Sequence, residues 1–233
     1  MKQFLIIILL CMPYMATAQQ SRVQNLPKYD KQKIHFGFSL GLNTCNFKME
    51  KNVSLYTYDS LYNIDNIRQG GFNLGIVTNL HMGNNFDLRF IPDLCFADRT
   101  LEYTFYINNV PARSPTQKKI ESTFIQLPLY VKFKSDRIGN MRAYVLAGAQ
   151  YNIDMVSQAK VENQDKQYVK LKRNDYGYSI GTGCDFYMEM FKLSLEVKMF
   201  NGMGNLLVED KTIFAQSLKS LRTKMFTFSL LFE

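Results

Sequence analysis

Residues 33–43 read KIHFGFSLGLN. Ile34, Phe36, Phe38, Leu40 and Leu42 are apolar, and His35, Gly37, Ser39 and Gly41 between them are small or polar. A period of two places the two sets on opposite faces of one β-strand. The oily face meets either the core of a soluble sandwich or the acyl chains of a membrane. The rest of the chain decides between these media.

The same period recurs along the sequence. The first strand is expected to run to about Phe47. A second covers 70–82, with Phe72, Leu74, Ile76, Leu80 and Met82 opposed by Asn73, Gly75, Asn79 and His81. A third gathers Phe86, Leu88, Phe90, Leu94 and Phe96 against Asp87, Arg89 and Asp93. A fourth, 121–134, sets Ile125, Leu127, Leu129, Val131 and Phe133 together; it contains Pro128, a residue usually tolerated only at an edge or bulge. The fifth (142–156), sixth (176–187), seventh (from Phe191) and eighth (225–233) alternate in the same way.

Eight strands near the ~9–11 residues of a tilted membrane strand suit a barrel. The connections discriminate further. Short links (MGNN, SDRIGN and one near MEM) alternate with long ones at about 48–69, 98–120, 157–175 and 201–222. Outer-membrane barrels have short periplasmic turns and long extracellular loops, whereas a sandwich has no reason to gather every long loop at one end.

The polar faces point the same way. Gly37, Ser39 and Gly41 on the first strand, and Gly177, Ser179, Gly181 and Gly183 on the sixth, leave room for longer side chains. Asp87, Arg89, Asp93, Lys132, Arg142, Asp154, Asp185, Lys192, Glu196 and Lys198 all fall on expected inner faces. An eight-stranded barrel has an interior just wide enough for its side chains, and charges of mixed sign there neutralise one another. The expected fold is therefore all-β: an eight-stranded antiparallel transmembrane outer-membrane β-barrel with a filled polar lumen.

The opening MKQFLIIILLCMPYMATAQQ has a basic start, an apolar run and an A-x-A site. It predicts a secretory signal peptide over 1–18, since the run is too short for a spanning helix. Leu10 before Cys11 excludes a lipoprotein signal. A flexible lead-in is expected over 19–32 and the barrel over 33–233. Aromatic residues are 14% with no Trp, and the formal charge of +8 is spread along the chain. An exported chain with dispersed basic residues is not expected to bind nucleic acid. Cys45, Cys95 and Cys184 lie far apart, with neither a disulfide framework nor a metal spacing. No cofactor and no small-molecule substrate are expected.

The segments KIHFGFSLGLNTCNF (33–47), GGFNLGIVTNLHMGNNFDLRFIPDLCF (70–96), IESTFIQLPLYVKFKS (120–135) and FTFSLLFE (226–233) resemble the PorT family. Residues 71–96 are the most specific part. The I-[ED]-x-T-F-[IV]-x-[LIV]-P pattern at 120–128 is shared more widely among related barrels. The resemblance implies an outer-membrane component of type IX secretion, acting in export or maturation of surface proteases and gliding adhesins, with no catalytic residues. It implies partners among other secretion-system subunits, together with outer-membrane lipid and lipopolysaccharide.

Four further features bear on function. His35 and Ser39 suggest a hydrolase pair, but two side-chain steps of a strand separate them by roughly 13 Å, beyond hydrogen-bond reach; His81 reads as a member of the polar network. The basic run KQYVKLKR (166–173) suits either lipopolysaccharide phosphates or a solvated loop. Tyr56, Tyr58 and Tyr62 mark a candidate partner-contact loop, or alternatively an interfacial girdle or strand extension. Phe232-Glu233 resembles the aromatic end read by barrel-assembly machinery, with Glu in place of the terminal Phe. The rival readings are a generic porin-like or structural barrel, an outer-membrane hydrolase and a soluble periplasmic β protein.

Overall fold

The computed structural model describes residues 24–52, 61–107, 110–111, 116–156, 170–208 and 217–233. A 3-10 turn, Tyr29–Lys31, precedes the strands. These are β1 (Ile34–Lys51), β2 (Leu61–Ile67), β3 (Gln69–His81), β4 (Phe86–Phe90), β5 (Asp93–Ile107), β6 (Val110–Pro111), β7 (Thr116–Lys134), β8 (Met141–Asp154), β9 (Asn174–Tyr187), β10 (Lys192–Gly202) and β11 (Leu218–Phe232). The order is β1-β11-β10-β9-β8-β7-β4-β3-β5-β2, with β6 on β5 and with a further β1–β3 ladder. That ladder, Ile34↔Leu80 through Cys45↔Gln69, closes the ring and removes the free edges an open sheet would expose.

The ring has eight places because consecutive segments share two of them. β2 and β3 follow one another at Arg68. β4 and β5 keep one register against β7: Phe90 faces Leu129 and Asp93 faces Gln126. The interruption between them is chemical. Pro92 has no N–H, and Pro128 stands across the same gap on β7, so two missing donors coincide in one patch of ladder. Pro128 thus lies in a central strand rather than at an edge. The Pro92 carbonyl still accepts from the Ile76 amide at 3.0 Å, which keeps β3 attached.

Over most of their length the strands carry apolar side chains outward and polar ones inward, the reverse of a soluble protein. Phe36, Leu42, Ile76, Val131, Val145 and Val197 are exposed, while Asp87, Arg89, Lys132, Asp185, Lys192 and Glu196 are at most 2% exposed. The short-turn rim carries aromatic contacts: Phe38 stacks on Phe232 at 4.8 Å, and Phe86 meets Phe133 at 5.1 Å. Such a girdle suits a membrane–water boundary. The short turns lie at 82–85, 135–140 and 188–191; Gly139 adopts φ +60 in the second, a conformation that favours glycine.

The far end differs from expectation. The segments expected as loops at 48–69 and 98–120 contain strand. β1 has 18 residues and β7 has 19, well beyond the length of a membrane crossing. The alternation continues there, but its sides exchange. On β1, Leu40 and Leu42 face out and Asn43 faces in; further along, Cys45 and Phe47 face in while Thr44 and Lys48 face out. β11 changes between Lys224 and Phe226, and β5 after Phe96. Beyond that level the barrel encloses Phe47, Ile64, Leu101, Tyr103, Leu206, Leu207, Leu218 and Leu221, a buried apolar cluster. Apolar residues facing out below that level suit a wall in lipid, and apolar residues facing in above it suit a wall in water.

Candidate functional site: the filled lumen and its mouth

β3, β4, β7, β8, β9 and β10 each aim alternate side chains into the lumen, and these meet in one network. Arg89 lies at its centre, fully buried. Its Nη1 donates to Glu196 Oε2 at 3.0 Å, Nη2 to Glu233 Oε1 at 2.9 Å and Nε to Asn79 Oδ1 at 3.2 Å. Glu196 also accepts from Tyr144 at 2.8 Å and pairs with Lys198 at 3.0 Å. Lys192 reaches Glu233 at 2.9 Å. Lys132 reaches Asp185 at 2.7 Å, and Ser194 donates to the same carboxylate at 2.6 Å. Asn79 links this group to Asp87, which also takes Lys134 at 2.7 Å and His81 at 2.8 Å.

The inner-face residues named from the sequence therefore do not form a single cluster. Asp87, Arg89, Lys132, Asp185, Lys192, Glu196 and Lys198 belong to the central network. Asp93 lies apart, buried beside a small cavity shared with Asn73, Gln126 and Lys198. Arg142 sits at the mouth, bonded to Asp30 at 3.0 Å. Asp154 lies toward the far end, 3.8 Å from Arg99. Adding Lys134 and Glu233 gives five cations (Arg89, Lys132, Lys134, Lys192, Lys198) and five carboxylates (Asp87, Asp93, Asp185, Glu196, Glu233). These ten groups balance one another, as groups withdrawn from water require.

The inner glycines provide the space. A Cβ on Gly183 would stand 2.5 Å from the Tyr144 ring, and one on Gly75 would stand 2.7 Å from both Asp93 Cβ and Ser39 Oγ. The Tyr144 ring fills that space and lies 3.6 Å from Lys132 Nζ, a cation–π contact that adds to the ion pair.

The described part of the lead-in, residues 24–32, is tied to the mouth on the short-turn side. Tyr29 stacks on His35, with centroids 3.8 Å apart, and donates to Glu233 at 2.9 Å. Burial, with the Glu233 carboxylate beside it, raises the phenol well above its ordinary pKa, so Tyr29 remains a neutral donor. The Asn25 amide donates to Asn140, and Arg137 donates to the Asn25 carbonyl. Inside, a cavity beside Asp93 and another beneath Tyr29 measure about 10 Å³ each, room for about one water. Single-channel recording in planar bilayers should accordingly show no steady conductance from the folded chain. A stable open level of porin size would contradict a filled lumen.

Glu233, Lys134, Arg99 and Tyr29 were missed from sequence. Period two carried a signal for two of them: Leu231 and Lys132 face in, so Glu233 and Lys134 do as well. Arg99 lies in a segment expected as loop; it packs 4.5 Å from the Phe47 ring and donates to Ser122 at 2.5 Å. His35 and His81 are each committed to lumen partners, Tyr29 and Asp87. Tyr62 is an exposed residue of β2, whereas Tyr56 and Tyr58, and residues 166–169 of the basic run, lie outside the described residues.

A family model described as outer membrane protein beta-barrel domain matches residues 17–208. Among solved structures, the chain is similar to Neisserial surface protein A, at 12% identity and TM-score 0.42, covering 86% of this chain and 98% of that one. It is similar to the outer membrane protein OprG from Pseudomonas aeruginosa, at 12% identity and TM-score 0.45, with 86% and 93% covered. It is also similar to Ail, the attachment invasion locus protein of Yersinia pestis, at 14% identity and TM-score 0.38, with 86% and 99% covered. No curated protein matches the sequence.

Proposed function

Because the chain belongs to the outer membrane protein beta-barrel domain family, and is thereby an integral outer-membrane barrel, we propose that it serves as a non-enzymatic accessory of type IX protein secretion. The observation that carries this reading is the lumen, closed by a charge-balanced network and by Tyr29 at its mouth. A barrel so filled has no conduit for a folded or extended cargo. Its contribution to export then lies in its rims: the short turns and the residue 24–32 segment toward the periplasm, and the extension beyond the outer leaflet. The PorT-like segments at 33–47, 70–96 and 120–135 support the choice of machinery. The proposed partners are other subunits of that machinery, docked on the rims, with Tyr62 on the extension as one contact. A signal peptide over 1–18 supplies the route of export.

A second reading, a structural barrel with no part in secretion, is favoured by the same filled lumen and makes a different prediction. Deleting the gene in the native host, with plasmid complementation and mass spectrometry of surface and medium proteins, separates the two. Under the secretion reading, large cargo proteins disappear from the medium and accumulate unprocessed in the periplasm, and the plasmid restores them. An unchanged exported proteome would leave only the structural role.

A further inference from the structure

On the outer wall, at the level where the strand faces exchange polarity, a notch of about 290 Å³ opens between Thr44, Asn46, Arg68, Lys224 and Phe226. We propose that this notch binds the phosphorylated headgroup of an outer-leaflet glycolipid, with one phosphate held between Arg68 and Lys224 and its acyl chains lying on the apolar wall below. This proposal goes beyond the secretion reading and stands whether or not that reading does; it rests on the barrel's orientation alone.

Register builds the site. Asn46 faces Lys224 across the β1–β11 ladder, and Thr44 faces Phe226 one outward step lower. Arg68 follows on from Gln69, the partner of Cys45, and so flanks Asn46 on the other side. Facing residues on adjacent strands stand about 5 Å apart, which puts the Arg68 and Lys224 Cβ atoms about 10 Å apart, within closing distance of two long side chains on one anion. One step higher, Lys48 directly faces Arg222. Like charges opposed in this way repel, yet among the described residues no carboxylate pairs with Lys48, Arg68, Arg222 or Lys224. The Arg222 Nε is buried without an acceptor. Four cations converge on one sector of wall, with no anion paired to them among the described residues.

The same protein shows what a self-sufficient lysine looks like. Lys119, on the outside of β7, has Asp98 at 3.0 Å and Glu121 at 2.9 Å. The described lining of the notch has no such acids, and it has features a lipid would use that a free ion would not. Phe226, exposed at its lower lip, continues into the outward row of Leu42, Phe72 and Phe228. Lys224 lies 5.3 Å from the Phe226 ring, so the cation is held at the junction of the polar and apolar walls. That junction lies on the side away from the short turns, hence in the outer leaflet, where phosphate headgroups sit at the depth of these cations.

Native mass spectrometry of the detergent-solubilised barrel provides the test. The probes are an acylated glucosamine disaccharide carrying two phosphates, the same lipid with its phosphates removed, and phosphatidylglycerol. Wild-type protein should retain the bisphosphorylated lipid, and removing the phosphates should weaken binding about tenfold or more, as loss of charge-assisted bonds does. The double variant R68Q with K224Q should lose a similar factor, while K119Q should bind as wild type. Heat-modifiable gel migration checks that each variant is folded; these outward side chains touch none of the lumen network. Undiminished binding by the double variant, or equal binding of the dephosphorylated lipid, would overturn the site. Equal binding of phosphatidylglycerol would overturn the glycolipid assignment, and full displacement by millimolar inorganic phosphate would make the ligand a free anion.

Discussion

Replacing Arg89 with Gln is expected to cause a large loss of stability, about 3–5 kcal/mol, the usual cost of removing one partner from a buried ion pair. Arg89 is fully buried and joins Glu196 and Glu233, two carboxylates brought in by different strands. Without the guanidinium, each acid keeps a single lysine, Lys198 or Lys192, and the lumen carries one excess negative charge that water cannot reach. The measurement is urea unfolding in lipid vesicles, read by heat-modifiable migration. The charge argument has its own test in a double variant. Arg89→Met alone should be as damaging as Arg89→Gln, whereas Arg89→Met with Glu233→Gln restores the balance of charges and should recover most of the loss. If the double variant is no better than the sum of its singles, the network is held by packing rather than by charge. Arg89→Lys keeps the charge but loses the fork that spans two acids, so an intermediate stability is expected.

The ring itself was legible because its cause is local. Period two, together with the alternation of short and long connections, suffices to order the strands and to say which side chains face in. The inner and outer sets of the opening stretch fall as they read: His35 and Ser39 inside, Phe36, Phe38 and Leu40 outside. What the sequence reading missed has a physical reason in each case. The extension beyond the membrane keeps the same period with its faces exchanged. A search for greasy residues on one continuing face therefore stops near Phe47, although β1 goes on to Lys51. Arg99 and the Leu218 and Leu221 cluster were lost with it. Pairings such as Arg89 with Glu233 join residues far apart in sequence, and their choice depends on barrel stagger, which no single segment encodes. The Tyr29 contact was hidden because residues 24–32 have no periodicity; only the presence of a mouth to close gives them a place.

Substitutions along β1 should reveal the change of surroundings directly. Leu40 lies on the outer wall between Leu230 and Leu74, its facing partners on β11 and β3. Leu40→Arg places a guanidinium against acyl chains and should cost about 2–4 kcal/mol, the range for a basic residue deep in the lipid face of a barrel. Seven positions on, the sensitive side is the inner one. Phe47 is 4% exposed, and the Arg99 guanidinium stands 4.5 Å from its ring. Phe47→Arg removes an aromatic from the apolar cluster and sets a second guanidinium beside Arg99, so its cost should be at least the about 3–5 kcal/mol of deleting a buried Phe side chain. Glu50, outward on the same strand, is in water if the exchange of faces marks the membrane boundary, and Glu50→Leu should then change stability by no more than about 0.5 kcal/mol. Unfolding of the three variants in vesicles decides the matter. If Glu50→Leu stabilises the barrel as lipid burial would, while Phe47→Arg is tolerated, then lipid extends over the whole strand and the apolar cluster is not a water-facing cap. If both inner and outer substitutions are costly at their own levels and Glu50→Leu is silent, one strand spans two solvents with a single period.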